Sequence, residues 1–282
     1  MLRIAQRLAG HYTITAAASD DDGAAVTITG TPTATVVDGA GNTVAIAAAP
    51  TVADGVLSLA IAFDEIPLLD AYTVTWVADE GTWRTTFELV GGFLCEISDI
   101  RAEPNVRELG DTLTTADVRK ARFKAEEHIE QLAMCAFVPR GARQTTVVDG
   151  EPFGSLHKLT LDNVRLRRVY SVTVDGTALT SIELAALTVY AYGTIVNPSG
   201  WPTGSVVAVH YEHGLDEAPG AILEGCARLS AKYAVKGAFH GRGMDATDIG
   251  VRLTFGARAG ETADADLDAA IADFGARRPI VG

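Results

Sequence analysis

Several groupings of side chains in this sequence have the types and spacing to do chemistry. His210, Glu212 and His213 offer two imidazoles and a carboxylate, a donor set that zinc accepts. On a strand, however, His210 and Glu212 face one side, while His213 sits beyond the strand end and Gly214 marks an exit into a loop. The three then fail to converge. Gly241, Arg242, Gly243, Met244, Asp245 and Ala246 match a relaxed dinucleotide fingerprint by letter. That fingerprint needs a strand before it and a helix after it, so that the phosphate meets a helix N-terminus; here a helical pattern precedes it and polar sequence follows. Asp20, Asp21 and Asp22 before Gly23 lack the alternating spacing and closing glutamate of a calcium loop, and read as a solvated hairpin turn. Cys135 and Cys226 fall on or beside apolar helical stripes with no His–Asp arrangement near them, which suits small buried hydrophobes rather than nucleophiles. Arg165, Arg167 and Arg168 read as a solvated strand edge or a subunit contact rather than a nucleic-acid patch. No catalytic, cofactor or metal constellation survives these tests, and an enzyme is not expected.

The chain that must position these groups has 282 residues, 48% hydrophobic and 21% charged, enough for one large domain or two ordinary ones with real cores. Aromatics are only 7% and glycines number 28, a profile of Val/Thr-rich strands joined by glycine turns. No apolar run approaches the roughly 18 residues of a membrane helix, and residues 1–10 lack the apolar block of a signal peptide. Three cysteines without pairwise spacing argue against a disulfide scaffold and for a reducing compartment. A soluble protein made in the cytoplasm is the expectation. The net charge of -13 is uneven: residues 1–95 carry three basic and eleven acidic residues, whereas residues 96–243 carry sixteen and eighteen. An acidic surface repels phosphates at long range, which disfavours a sequence-reading DNA binder but suits a surface past which DNA must slide.

Residues 12–90 read as short strands punctuated by turns. Tyr12, Ile14 and Ala16 alternate with polar residues, as do Leu57, Leu59, Ile61 and Phe63, then Tyr72, Val74 and Trp76, then Trp83, Thr85, Phe87 and Leu89. Val26 with Ile28 and Ala34 with Val36 supply shorter segments. Period-two alternation puts one side of each strand on a core. About seven such strands at 8–12-residue spacing predict an all-β immunoglobulin-like sandwich over residues 1–92, without the Cys–Trp–Cys pattern of an antibody domain.

Gly91–Gly92 breaks this pattern. Val118, Ala121, Ala125, Ile129, Leu132 and Ala136 then recur at helical spacing, with Thr114 and Asp117 as an N-terminal capping pair. Segments 145–148, 156–161, 169–174, 189–196 and 206–211 read as strands, and Pro219 opens a second helix carrying Ile222, Cys226, Leu229 and Tyr233. Helix, strands, helix is an α+β module, spanning residues 93–236. Residues 237–243 read as a glycine-punctuated loop, and 249–255 as one strand. Leu267, Ile271 and Phe274 form a stripe too thin for its own core, which must lie on its own body or on a neighbour. Residues 237–282 are therefore a candidate docking arm.

The second module resembles the head–tail adaptor (connector, or head-completion) proteins of long-tailed bacteriophages. The landmarks run in that family's order: the helix 117–134 followed by Phe137-Val138-Pro139-Arg140, the strand Val169 to Val174 closed by Asp175-Gly176, Trp201 with Pro202, Val209 to Gly214, and the Pro219 helix. They cover about half the chain. The resemblance implies a ring, typically dodecameric, beneath the portal vertex, extending the DNA channel and presenting a platform to the next neck or tail protein, the stopper. Implied partners are the portal protein, neighbouring copies, the stopper, genome DNA passing without sequence-specific binding, and capsid through the immunoglobulin-like domain. No membrane is implied. The implied location is the virion neck, reached by assembly in the host cytoplasm.

The immunoglobulin-like domain is a departure from the minimal family pattern, and its separate charge fits an outward appendage. A closed ring needs one face of a subunit to meet a different face of the next, and the two helices offer such faces. Arg252, Phe255, Arg258, Phe274, Arg277 and Arg278 are the candidate portal-docking residues of the arm. Competing readings are a secreted or surface adhesin or carbohydrate-binding protein built on the sandwich, another neck ring protein such as a stopper or tail terminator, and a metal-dependent hydrolase at His210, Glu212 and His213.

Overall fold

The alternating segments of the first ninety residues fold as two facing sheets. In the computed structural model, which describes residues 2–6, 10–20, 22–149, 156–242, 262 and 264–275, these strands are β1 (Leu2–Ala5), β2 (His11–Ala17), β3 (Thr33–Val37), β4 (Thr43–Val44), β5 (Thr51–Ala53), β6 (Val56–Ala62), β7 (Ala71–Ala78) and β8 (Gly81–Val90). One sheet runs β8-β7-β3-β4 with β1 also on β8, and the other runs β2-β6-β5. β1 lies parallel to β8, from Leu2 opposite Phe87 to Ala5 opposite Val90. Ile14, Leu57, Leu59, Ile61, Val74, Trp76, Phe87 and Leu89 are buried between the sheets. Each contributes about 1.5–3 kcal/mol of apolar burial, which is what holds the sandwich closed. The polar ends of its aromatics are satisfied: Trp76 Nε1 donates to Thr85 Oγ1 at 3.3 Å, and the Tyr72 hydroxyl to the Leu68 carbonyl at 2.9 Å. Val26 and Ile28 form no strand; a Ser19–Ala25 bridge closes the acidic turn, where Asp20 Oδ1 accepts from the backbone of Asp22 and Ala24.

The rest of the chain is a mixed α+β module. Its elements are α1 (Ile97–Ala102), α2 (Pro104–Leu109), α3 (Thr115–Ala133), β9 (Arg140–Val147), β10 (Leu156–Thr160), β11 (Leu166–Val174), β12 (Thr177–Ala178), α4 (Ser181–Ala186), β13 (Thr188–Tyr190), β14 (Thr194–Trp201), β15 (Val206–His213), α5 (Gly220–Arg242) and α6 (Ala265–Phe274). Thr114 and Asp117 cap α3 reciprocally, and Met134 ends it in the left-handed conformation at φ 52°. α3, α5 and α6 enclose one core with α1 and α2. A second core, built on Val172, Ile195, Trp201, Val207, Val209 and Tyr211, lies between β11, β15 and the small sheet β10-β14-β13.

Three expectations are corrected here. Residues 189–196 are not one strand: Tyr190 accepts a hydrogen bond from the Gly193 backbone, and the chain reverses into the β13–β14 hairpin. Residues 237–242 are not loop, because α5 continues to Arg242 through the glycines. His213 is inside β15 rather than beyond it, paired with Arg140 on β9 and Leu166 on β11.

The sheet does not stop at Gly91–Gly92. The order β12-β11-β15-β9 continues through a Val90–Arg140 pairing into β8, so sandwich and module share one nine-stranded sheet. Gly91 belongs to that joint: its backbone donates to the Pro139 carbonyl at 2.8 Å, and a Cβ there would lie 2.5 Å from the proline ring. Close approach of two backbones, rather than a flexible hinge, is what the glycine permits.

Candidate functional site

Among the described residues, a dense set of ion pairs lies along this joint. Helical spacing places Glu126 and Glu130 on the side of α3 that faces the sandwich, β9 brings Arg140 alongside, and β1 and β8 supply Arg3 and Glu88. Arg3 binds Glu88 at 3.0 Å and Glu126 at 3.3 Å, and stands 3.5 Å from Glu130. Arg140 binds Glu88 at 3.1 Å and Glu130 at 2.8 Å. Glu126 also accepts the Leu94 backbone N–H at 2.9 Å. Three carboxylates thus share two guanidinium groups in a nearly closed space. Burial pushes the Glu130 carboxyl above its ordinary range even against Arg140 and Arg3. Burial would by itself pull Arg140 down, but Glu130 and Glu88 hold it above its usual value. Such a network adds little net stability over an apolar core, yet removing one partner leaves a buried charge under-compensated.

A second cluster continues the joint. Arg143 on β9 binds Asp70 Oδ2 at 2.6 Å through Nη2 and 2.9 Å through Nε, and Asp38 at 3.0 Å. The Gly39 backbone donates to Asp70 at 3.3 Å. His210 Nε2 is 3.3 Å from the Leu69 carbonyl and 3.8 Å from Asp70. Gly141 allows this contact, since a Cβ there would sit 1.7 Å from the Leu69 carbonyl oxygen. Burial, reinforced by Arg143, lowers the His210 imidazole below its usual value. Asp38 lies below the carboxylate range although burial opposes it, because Asn42 and Arg143 stabilise the charge. His213, one face over, is buried against Tyr211; burial, with Arg140 adding to it, takes its pKa to about 4.

The residues singled out for chemistry make contacts within the fold. His210 faces Leu69 and Asp70, Glu212 accepts the Tyr170 hydroxyl at 2.5 Å, and His213 lies on the opposite strand face. Among the described residues no three His, Cys, Asp or Glu side chains gather as a metal site. The arginines act within the chain: Arg165 donates to the Phe274 carbonyl, Arg167 binds Glu212 at 2.9 Å and also Asp216, and Arg168 lies over the Tyr170 ring at 5.4 Å. Of the proposed docking residues, Arg252, Phe255, Arg258, Arg277 and Arg278 lie outside the described residues. Phe274 is exposed at the end of α6. That helix lies on the chain's own body, with Leu267 and Ile271 buried against α3 and α5 and Arg228 gripping Asp264 at 2.7 Å.

Exposed apolar side chains remain on both the strand and the helical elements of the module. On the sheet side are Val147 and Val206, which are cross-strand partners, Ile182 on α4, and Tyr190 stacked on Tyr192 at 5.2 Å. On the helical elements are Met134 after α3, Phe274 at the end of α6, where the adjoining Gly275 approaches Ala133, and Leu223 on α5. None of these was singled out from sequence except Phe274, since a lone exposed valine or tyrosine carries no pattern.

No protein-family model matches the chain, and no curated protein matches it. Among solved structures, a chain from the neck of an empty GTA particle, computed with C6 symmetry, is 16% identical over 65% of this chain and 94% of its own, at a TM-score of 0.41. A chimeric titin Z1Z2–Z1Z2 tandem, functionalised with a GRGDS peptide from fibronectin, is 10% identical over 77% of this chain and 80% of its own, at a TM-score of 0.27. Both scores are too low to establish a shared fold. No helix among the described residues is long and apolar enough to cross a membrane.

Proposed function

We propose that this chain is a structural virion protein of the head–tail junction, a ring-forming adaptor that binds a portal vertex, extends the DNA channel and carries the next neck protein. The observation that carries the reading is that exposed apolar side chains stand on both the strand and the helical elements of the module. Tyr190 and Tyr192 on the strand side and Met134 and Phe274 on the helical side are read as the two different faces of a heterologous interface, which closes into a ring when the rotation between copies allows. The order of landmarks supports it: α3 leading to Pro139 and β9, β11 closing at Asp175–Gly176, Trp201–Pro202, β15, and Pro219 opening α5. The sandwich is read as immunoglobulin-like on its sheets β1-β8-β7-β3-β4 and β2-β6-β5 and on the Tyr72–Leu68 bond at the start of β7. Its ion pairs through Arg3, Arg140 and Arg143 support reading it as a fin fixed to the module, with capsid as the proposed contact, rather than as a tethered appendage.

The surfaces are tested by Tyr190→Glu with Tyr192→Glu on the sheet side and Met134→Glu on the helical side. Each is expected to leave the monomer folded and to abolish ring formation on portal; full rings from both variants would overturn the interface. The docking arm is tested by Arg277→Ala with Arg278→Ala, because truncation after Lys236 would strip α6 from its core. Undiminished portal affinity in that variant would remove the arm from the proposal.

A further inference from the structure

The fold brings together two cysteines that sequence spacing keeps far apart. Cys95 lies in the connection between β8 and α1, and Cys226 lies in α5, 131 residues away; their Sγ atoms are 3.7 Å apart. Ser230 Oγ stands 3.9 Å from each sulfur. A disulfide bond is about 2.05 Å long, so the sulfurs must close by roughly 1.7 Å. Cys95 is outside any helix or strand, on the segment that follows Gly91 and Gly92, so the approach is made by a loop moving toward a fixed helix. The Cys95 carbonyl meanwhile accepts from Arg122 on α3 at 3.2 Å, which keeps the loop over the two helices.

We propose that Cys95 and Cys226 are a latent disulfide site that staples the connection between sandwich and module onto α5 when the chain meets a small-molecule disulfide. Cys95 begins the exchange. It is 6% exposed where Cys226 is fully enclosed, and the neighbouring Cys95 thiol together with burial holds the Cys226 thiol protonated. The Cys95 thiolate attacks one sulfur of the oxidant RSSR, expelling RS⁻ and leaving a mixed disulfide. Cys226 then gives its proton to the expelled thiolate and attacks the Cys95 sulfur, and the second RS⁻ departs and is protonated by solvent. Two protein thiols lose two electrons and the oxidant becomes two RSH, the second proton being that of the original Cys95 thiol. A chain made in a reducing compartment would thus fold with free thiols and be locked on reaching an oxidising one, a consequence independent of any ring.

The test uses the full chain carrying Cys135→Ala, incubated folded with oxidised glutathione at mildly alkaline pH, then alkylated and digested. The expected result is a linked Cys95–Cys226 peptide, a mass lower by two hydrogens, and a Tm raised by roughly 5–10 °C, as closing so long a loop implies. Reduction with dithiothreitol should reverse all three, and Cys226→Ala should remove them while circular dichroism stays unchanged. A glutathione adduct on Cys95 with no linked peptide would overturn the proposal. So would thiols that oxidise only after unfolding in guanidinium, or a linked protein whose Tm does not rise.

Discussion

Acid should loosen this protein through His213 at the joint. The unfolded imidazole titrates near 6.5, whereas burial and Arg140 bring the folded group to about 4. A group whose folded pKa is depressed contributes stability that is present above 6.5 and is lost as pH falls toward 4. Linkage between these two values gives a loss of about 2 kcal/mol between pH 7 and pH 5, and about 3 kcal/mol by pH 4. The ring is buried, so solvent screening does not reduce the figure. His210 shifts in the same direction and adds to the slope. Glu130 works oppositely: its folded pKa is raised, so its contribution is present below the unfolded value and lost as pH rises through the folded one. Urea unfolding of the parent chain and of His213→Leu at pH 7, 6 and 5 separates these effects, because Glu130 and His210 are common to both proteins. The free-energy gap between parent and variant should narrow, or reverse, by about 2 kcal/mol from pH 7 to pH 5 with unchanged m-values. Parallel pH profiles would refute the assignment of a buried, neutral His213.

Two further substitutions probe the joint by different means. Arg140→Met should cost about 3–5 kcal/mol in denaturant titrations, by leaving the buried carboxylates of Glu88, Glu126 and Glu130 to Arg3 alone, and Glu130→Gln in that background should recover part of it. Gly141→Ala should separate β9 from the Leu69 carbonyl, and the check is faster amide exchange on β9 and around Leu69 than across β6 and β7.

Much of the architecture was legible because it is written in local periodicity. Leu57, Leu59 and Ile61 alternate and are buried; Val118, Ala121, Ala125 and Ile129 lie on the inner face of α3; Thr114 and Asp117 cap it. What escaped is built from residues distant in sequence. Arg3, Glu88, Glu130 and Arg140 meet only once the sandwich and the α+β module are folded together, and no window of the chain holds all four. One local signal was available: Arg122 and Glu126 lie on the buried face of α3 among its apolar residues, where a charge needs a buried partner. Short α4 also advertised itself, through Thr180 and Glu183 as a capping box. Gly91–Gly92 does follow the end of β8, and that Gly91 also serves a close approach to Pro139 is visible only once Pro139 is in place. Cys95 and Cys226 escaped for the same reason as the ion pairs, being brought together by α5 rather than by spacing.

The adaptor reading is tested most directly by mass from light scattering behind size exclusion, for the full chain alone and mixed with a cognate portal ring. With a charge of -13 on each copy, neighbouring subunits repel, so the chain alone should elute as a monomer of 29.6 kDa. With portal it should co-elute at one fixed stoichiometry that saturates at a whole ring. A monomer whose mass and elution are indifferent to portal at any ratio would contradict the proposal.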